Sequence, residues 1–322
     1  MSSRPVVLLT TGGTIAMRYD AAAEGNLPAL TGRELLESLG PLPSTVPIRL
    51  EEWERVPAVH RDPAGMWALR TRIAQLAADP DVGGIVVTHG TDTMAEMAYL
   101  LRRTVDTETP IILTGAMRSA SAEGSDGARN LRGAVRVAEA AASRGRGALV
   151  AMAGKIFDGA EVVKGHTESL DAFQAPHGQA MGTVTESDVV FHRPSRPGGT
   201  IPARGCDTPV ALVVMDLGDD GTFLDLVRPR SAGLVVAGYG RGNIPPGALP
   251  ALTRWLAEGK PVVLASQCPK GTVGPDYAFE GGGRQLLALG VIPAGPRTAT
   301  QARLELALCL SADVPYGRGT AG

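Results

Sequence analysis

Short aliphatic and β-branched runs alternate along this chain with longer segments of helical periodicity, and that alternation restricts the fold more than any other feature. The runs are Val6 to Thr10, Gly84 to Thr88, Pro110 to Thr114, Ala148 to Ala153, Val210 to Leu217, Leu234 to Ala237 and Pro261 to Ala265. Between them lie helix candidates at Gly32 to Leu39, Pro63 to Ala78, Asp92 to Arg103, Asp126 to Ser143, Pro246 to Glu258, Gly283 to Leu289 and Thr300 to Leu310. Most of these carry apolar residues at three- and four-residue spacing. Near-continuous apolar strands separated by amphipathic helices indicate a parallel sheet covered on both faces, so a parallel α/β architecture is expected. With 322 residues two domains are expected rather than one. The stretch Phe191 to Pro209 is crowded with Pro, Gly and Arg and shows neither periodicity, so it reads as an exposed connection. The expected division is therefore 1–190, a linker over 191–209, and 210–322.

Charge and cysteine usage remove several classes of function. The formal net charge is −2 and the Lys and Arg residues are scattered, which leaves no basic field for a phosphate backbone; nucleic acid is not an expected partner. Cys206, Cys268 and Cys309 are odd in number, widely spaced and free of any CxxC pairing, so neither a disulfide framework nor a structural zinc site is indicated. The apolar run at the start is far too short for a signal-peptide core, and no later stretch is long and apolar enough to span a membrane. A cytoplasmic location and no membrane partner are expected.

Chemistry-bearing residues cluster where the strands end. The first strand runs into Thr11, Gly12, Gly13, Thr14, Ile15 and Ala16, where two glycines permit a tight turn and a close approach of ligand to backbone. A Thr14 hydroxyl there, beside unpaired backbone N–H groups, supplies a nucleophile next to an oxyanion cradle. The same turn also fits a plain strand-to-helix connection with threonine capping. The second motif, Thr88, His89, Gly90, Thr91, Asp92, Thr93 and Met94, again places polar groups at the edge where open parallel sheets bind ligands. Asp92 alone reads equally as a helix N-cap, and His89 as a structural histidine bonded inside the turn. Only Lys155, Lys164, Lys260 and Lys270 are lysines among 31 Lys and Arg residues. Lys164 follows Phe157, Asp158 and Gly159, and an amine can act as a base where a guanidinium cannot. A surface lysine on a loop is the other reading. Gly115 to Arg118 and Ser125 to Gly127 shape a third strand end, with Asp126 at a helix start. No GxGxxG followed by an acidic residue, no P-loop and no His or Cys cluster occurs, so neither a nucleotide cofactor nor a metal is expected.

Taken together, TGGTIA at Thr11 to Ala16, THGTDTM at Thr88 to Met94, GAMR at Gly115 to Arg118 with SDG at Ser125 to Gly127, and FDG followed by Lys164 resemble the bacterial-type L-asparaginases in order and spacing. The resemblance covers nearly the whole chain, including GYGRGN at Gly238 to Asn243. It implies a larger N-terminal α/β domain with a mostly parallel sheet flanked by helices, a smaller C-terminal parallel α/β domain, and a homodimer or homotetramer with sites between subunits. It further implies an asparaginase-type amidohydrolase without cofactor that releases ammonia from the side-chain amide of L-asparagine. Thr14 would be the nucleophile, and Thr91, Lys164 and Asp92 a proton relay, with Asp92 also holding the substrate's α-amino group. Backbone groups around Gly13, Thr14, Gly90 and Ala116 would line the oxyanion and amide side, and Asn243 matches a residue reaching into a neighbouring subunit's site.

Two departures bear on substrate. The stretch Glu24 to Gly32, EGNLPALTG, has no tyrosine where the family carries one on a mobile loop; Asn26 is the nearest equivalent, with Tyr19 further off. The segment that clamps the substrate's α-carboxylate reads VPAVHRD over Val56 to Asp62, with Ala58, Val59 and His60 in place of hydroxyls. A desolvated carboxylate left without charge-assisted partners costs roughly 2 to 5 kcal/mol, so His60 is the candidate clamp or the substrate differs. The alternatives are an amidohydrolase acting on D-asparagine, glutamine or a biosynthetic metabolite, and a non-catalytic amino-acid-binding homologue.

Overall fold

The computed structural model describes residues 4–38, 46–195 and 199–317. The chain forms two compact units, Met1–Thr200 and Ile201–Gly322. In the first lie β1 (Val6–Thr10), β2 (Met17–Asp20), β3 (Gly25–Pro28), α1 (Gly32–Ser38), β4 (Ile48–Glu52), α2 (Pro63–Ala78), β5 (Gly84–Thr88), α3 (Met94–Thr104), β6 (Ile111–Thr114) and α4 (Gly127–Glu139). It continues with β7 (Ala148–Met152), β8 (Lys155–Asp158), β9 (Val163–Lys164), β10 (Phe173–Gln174), β11 (Gly182–Val184) and β12 (Val189–Phe191). The second holds β13 (Val210–Val214), α5 (Thr222–Val227), β14 (Gly233–Gly238), α6 (Leu249–Ala257), β15 (Val262–Ser266), α7 (Gly283–Ala288), β16 (Ile292–Pro293) and α8 (Ala299–Ser311).

The main sheet of the first unit has the strand order β12-β11-β8-β7-β6-β5-β1-β4. Strands β4, β1, β5, β6 and β7 run parallel, while β8, β11 and β12 extend the sheet in antiparallel fashion. The central strands are apolar throughout because both faces are covered. Val6, Leu8, Val86, Ile112 and Leu149 pack with Leu131, Ala134, Val135 and Ala138 of α4. The alternate residues Val7, Leu9, Ile85, Val87, Ile111 and Leu113 are fully buried on the other face, where α2 and α3 contact the sheet. Register matters most for function: Thr10 pairs with Thr88 and Thr88 with Thr114, so β1, β5 and β6 end level at one edge. Three consecutive turns are thereby delivered to the same place.

The second unit is a parallel four-stranded sheet in the order β13-β14-β15-β16. Successive residues of β14 face opposite cores: Leu234 and Val236 meet Trp255 and Leu286, whereas Val235 meets Ala302 and Leu306 of α8. Thr298 caps α8 in a reciprocal box with Gln301.

The expected strands and helices all appear, with ends shifted by a few residues; Leu39, the expected end of the first helix, lies outside the described residues. The expected exposed connection over 191–209 is partly tethered, and residues 196–198 lie outside the described set. Phe191 pairs with Gly182 in the sheet, and the Arg146 guanidinium stacks on its ring at 4.0 Å. Ile201 and Cys206 are buried. Among the described residues no helix is long and apolar enough to cross a membrane.

Candidate active site

The turn after β1 is built on two left-handed glycines, Gly12 at φ +87° and Gly13 at φ +89°. Space as well as conformation demands them. A side chain on Gly12 would lie 2.7 Å from the Val56 carbonyl oxygen, and one on Gly13 would lie 2.6 Å from the Gly90 Cα. The Gly13 backbone thus rests directly on the turn after β5. A short 3-10 turn, Thr14–Ala16, follows and buries Ile15 beside Gly127 and Ala116. Thr14 is half-buried, and its hydroxyl makes no hydrogen bond among the described residues.

In the second turn Thr91 is 5% exposed, so its hydroxyl needs an internal partner. Lys164, delivered by the β9–β10 ribbon where it pairs with Phe173, supplies it: Nζ lies 3.0 Å from Thr91 Oγ1 and 2.7 Å from Asp92 Oδ1. Asp92 is exposed and Lys164 largely covered. Thr91, Asp92 and Lys164 are therefore in mutual contact, beside the turn that carries Thr14. The backbone N–H of Thr91 has no partner among the described residues.

His89 is sealed behind this turn. Burial, reinforced by the Arg61 charge and opposed by its bond to the Gly90 carbonyl, lowers its pKa to about 4. It is neutral at pH 7. Its Nε2 lies 3.1 Å from Arg61 Nη1 and its Nδ1 2.9 Å from the Gly90 oxygen. The reading of His89 as a histidine bonded within the turn agrees with this geometry. One helical turn beyond Asp92, Glu96 has a carboxylate oxygen without a partner among the described residues; burial raises its pKa, and the nearby Asp92 charge acts in the same direction.

The third turn packs on the second, since a side chain at Gly115 would reach within 2.5 Å of the His89 carbonyl oxygen. Ala116 is fully buried. Asp126 does not cap α4 with its side chain. Its carboxylate instead accepts the N–H groups of Met117 and Arg118 at 3.0 Å, and Asn130 Nδ2 at 2.8 Å. Asn130 also donates to the Gly115 oxygen and accepts from Ala153 N–H, fastening the strand end to the start of α4.

The segment between β4 and α2 closes over the first two turns, with Ala58 Cβ against Gly90. His60, the candidate clamp, ends a 3-10 turn and is exposed, and its side chain makes no hydrogen bond among the described residues. The cation turned inward is the next residue, Arg61, whose side chain is 3% exposed. Its Nη2 lies 2.9 Å from Glu54 and 3.4 Å from the Thr11 oxygen. Reasoning from sequence passed over Arg61 and Glu96. The signal for Arg61 was present, because Asp62 followed by Pro63 marks the helix start and fixes Arg61 as the last residue before it. On the hairpin after the first turn Tyr19 and Asn26 sit directly opposite each other, with Tyr19 exposed. Asn243 lies in the second unit, in the tight turn after β14 where Tyr239 N–H bonds its carbonyl, and its Oδ1 accepts from Gly283 N–H at 3.4 Å.

Comparison with known proteins agrees with this architecture. Residues 5–197 match the asparaginase N-terminal domain and residues 209–316 the glutaminase/asparaginase C-terminal domain. The chain is 36% identical to a probable L-asparaginase of Deinococcus radiodurans, over 95% of this chain and 92% of that protein. It is 31% identical to an L-asparaginase of Bacillus licheniformis over 96% of each. A crystal structure of a probable cytoplasmic L-asparaginase from Campylobacter jejuni superposes with a TM-score of 0.86 at 28% identity, covering 96% of this chain and 95% of that one. With both domains matched in order along nearly its whole length, the chain belongs to the asparaginase family of amidohydrolases.

Proposed function

We propose that this protein hydrolyses the side-chain amide of L-asparagine to L-aspartate and ammonia, with Thr14 as nucleophile and Thr91, Lys164 and Asp92 as the proton relay. The observation that carries the reading is the contact of Lys164 Nζ with both Thr91 Oγ1 (3.0 Å) and Asp92 Oδ1 (2.7 Å) next to the Gly13–Thr14 turn. In this reading Thr14 Oγ1 attacks the amide carbon. Charge on the former carbonyl oxygen is met by backbone N–H groups, the unpartnered one of Thr91 among them. As it attacks, Thr14 Oγ1 gives up its proton through Thr91 Oγ1 to Lys164 Nζ beside the Asp92 carboxylate, and the same relay returns a proton to the departing nitrogen, which leaves as ammonia. Water then attacks the ester, gives one proton through the relay to Thr14 Oγ1 and keeps its oxygen on the carboxylate, so that aspartate leaves and the Thr14 hydroxyl is restored. The Asp92 carboxylate, being exposed, is available to the substrate's α-amino group. The names of the Deinococcus and Bacillus relatives support asparagine as substrate. A cytoplasmic homo-oligomer whose sites take Asn243 from a neighbouring subunit completes the proposal; the Campylobacter neighbour supports the location, and the family motif ending at Asn243 supports the shared site.

Ammonia release from L-asparagine tests the reading. Thr14→Ala and Lys164→Met are each expected to lower kcat by at least about a thousandfold while thermal unfolding stays near wild type. Turnover of folded Thr14→Ala within tenfold, roughly, of wild type would remove the nucleophile assignment.

A second reading keeps the catalytic groups and changes the substrate to D-asparagine, glutamine or another amide. It is favoured by the carboxylate segment, where Ala58 is buried and His60 is turned to solvent. Ranking kcat/KM across a panel of amides decides between them, and asparagine far below another amide selects the second.

A further inference from the structure

Arg61 carries a charge almost wholly withdrawn from solvent, and it touches no position named in the proposed relay. A buried guanidinium is costly unless its donors are used. Here they are used on both catalytic turns at once: Nη2 reaches the Thr11 carbonyl of the first, Nη1 reaches His89 of the second, and Glu54 balances the charge through Nε and Nη2.

The bond to His89 has a directional consequence. Guanidinium is a donor only, so His89 Nε2 must be the acceptor and the ring proton must sit on Nδ1. That N–H then donates to the Gly90 carbonyl oxygen 2.9 Å away. Carbonyl and N–H of one planar trans peptide point in opposite directions, so fixing the Gly90 oxygen toward His89 turns the Thr91 N–H away from it. That N–H has no partner among the described residues. With the opposite tautomer His89 would present a lone pair to the Gly90 oxygen, and the peptide would lose its anchor.

We propose that Arg61 is a positioning residue for amide hydrolysis: by donating to His89 it fixes the ring tautomer, and thereby the Gly90–Thr91 peptide whose N–H stabilises the oxyanion. The proposal rests on the asparaginase reading above, and it assigns to the segment that lacks the family's hydroxyls a task in catalysis rather than in substrate clamping. Among the described residues the charge acting on His89 is that of Arg61, itself held by Glu54; the Gly13 turn has no ionisable side chain, and those of the third turn are engaged elsewhere, Arg118 with the Glu123 carbonyl and Asp126 with Met117 N–H, Arg118 N–H and Asn130.

Steady-state ammonia release by the full-length protein from pH 3.5 to 9 tests this, with folding checked by circular dichroism at each pH. Wild-type turnover of asparagine, or of the best amide in the panel, tests the function itself; the variants test only Arg61. Arg61→Gln is expected to lower kcat by about 10- to 100-fold with KM changed less than about threefold. Its acid limb is expected at higher pH than in wild type, because removing the neighbouring cation eases protonation of His89. Arg61→Lys retains a charge and a donor and should recover part of kcat. Folded Arg61→Gln with wild-type kcat overturns the proposal, as does a fall in kcat with the acid limb unmoved, which marks a general packing role. Should Arg61→Gln fail to fold, Arg61→Met, which likewise removes both charge and donor, decides: a lowered kcat with a shifted limb supports the proposal, and wild-type kcat or an unmoved limb overturns it.

Discussion

In the proposed arrangement His89 ties catalysis and stability together within one side chain. It is 1% exposed, and its pKa lies near 4 rather than at the ordinary histidine value. Unfolding releases it to titrate near 6.5, so between pH 6.5 and 4 the unfolded chain binds a proton that the folded chain refuses. Stability from this source is complete above about pH 6.5 and falls as the solution is acidified, by about 2 kcal/mol at pH 5 and about 3 at pH 4. Urea unfolding of wild type and His89→Gln at pH 7 and pH 5 checks this. The wild type should lose about 2 kcal/mol more than the variant on acidification. Equal losses would show that the decline comes from carboxylates elsewhere.

At the scale of elements, the hairpin β2–β3 contrasts with the sheet it adjoins. Apart from its half-buried ends its residues face solvent, and two strands alone are marginal in water. It is held by Tyr19 N–H on Ser121 Oγ (2.8 Å), by Ala120 N–H on the Met17 carbonyl, and by Ala29 and Leu30 N–H groups on Ala16. Amides of Arg18 to Leu27 are therefore expected to exchange with solvent at least about a thousandfold faster than those of Val7 to Leu9. Hydrogen exchange read by mass spectrometry decides it, and protection equal to that of β1 would mean the hairpin is held by more than these contacts. The same contrast explains what could be read in advance. β1, β5, β6 and β7 are continuous apolar runs because both faces are buried, and α2 announces itself through Asp62, Pro63 and its apolar spacing. Strand β4 alternates only briefly, with Ile48 and Leu50 against the core and Arg49 and Glu51 paired to groups on other elements, so it stands out less than the continuous runs. β9 and β10 are too short to have a period at all. Lys164 could be singled out by its rarity, but its distance from Thr91 follows from pairings invisible in the local sequence. His60 and Arg61 differ by one position, and the 3-10 turn over Ala58–His60 decides which of them faces inward.

At the scale of the whole molecule, each unit closes its own core, with the first built under β1, β5, β6 and β7 and the second around β14 and β15. Thr14, Thr91, Asp92 and Lys164 all belong to the first unit, whereas Asn243 belongs to the second. In the oligomer proposed above, Asn243 serves the site of a neighbouring copy, and this has a consequence that a monomeric enzyme cannot share. In a symmetric dimer each site then draws Thr14 from one chain and Asn243 from the other. Thr14→Ala and Asn243→Ala should each be nearly inactive alone. In a mixed dimer, one site carries both substitutions and the other carries neither. Random reassembly of equal amounts makes half of the dimers mixed, so about a quarter of wild-type sites should reappear. Ammonia release measured after co-refolding the two variants, with each refolded alone as reference, reads this directly. Recovery near one quarter places Asn243 across a subunit boundary from Thr14. No recovery, with both variants folded and each inactive by itself, places the two residues in the same chain's site and removes the shared-site assembly.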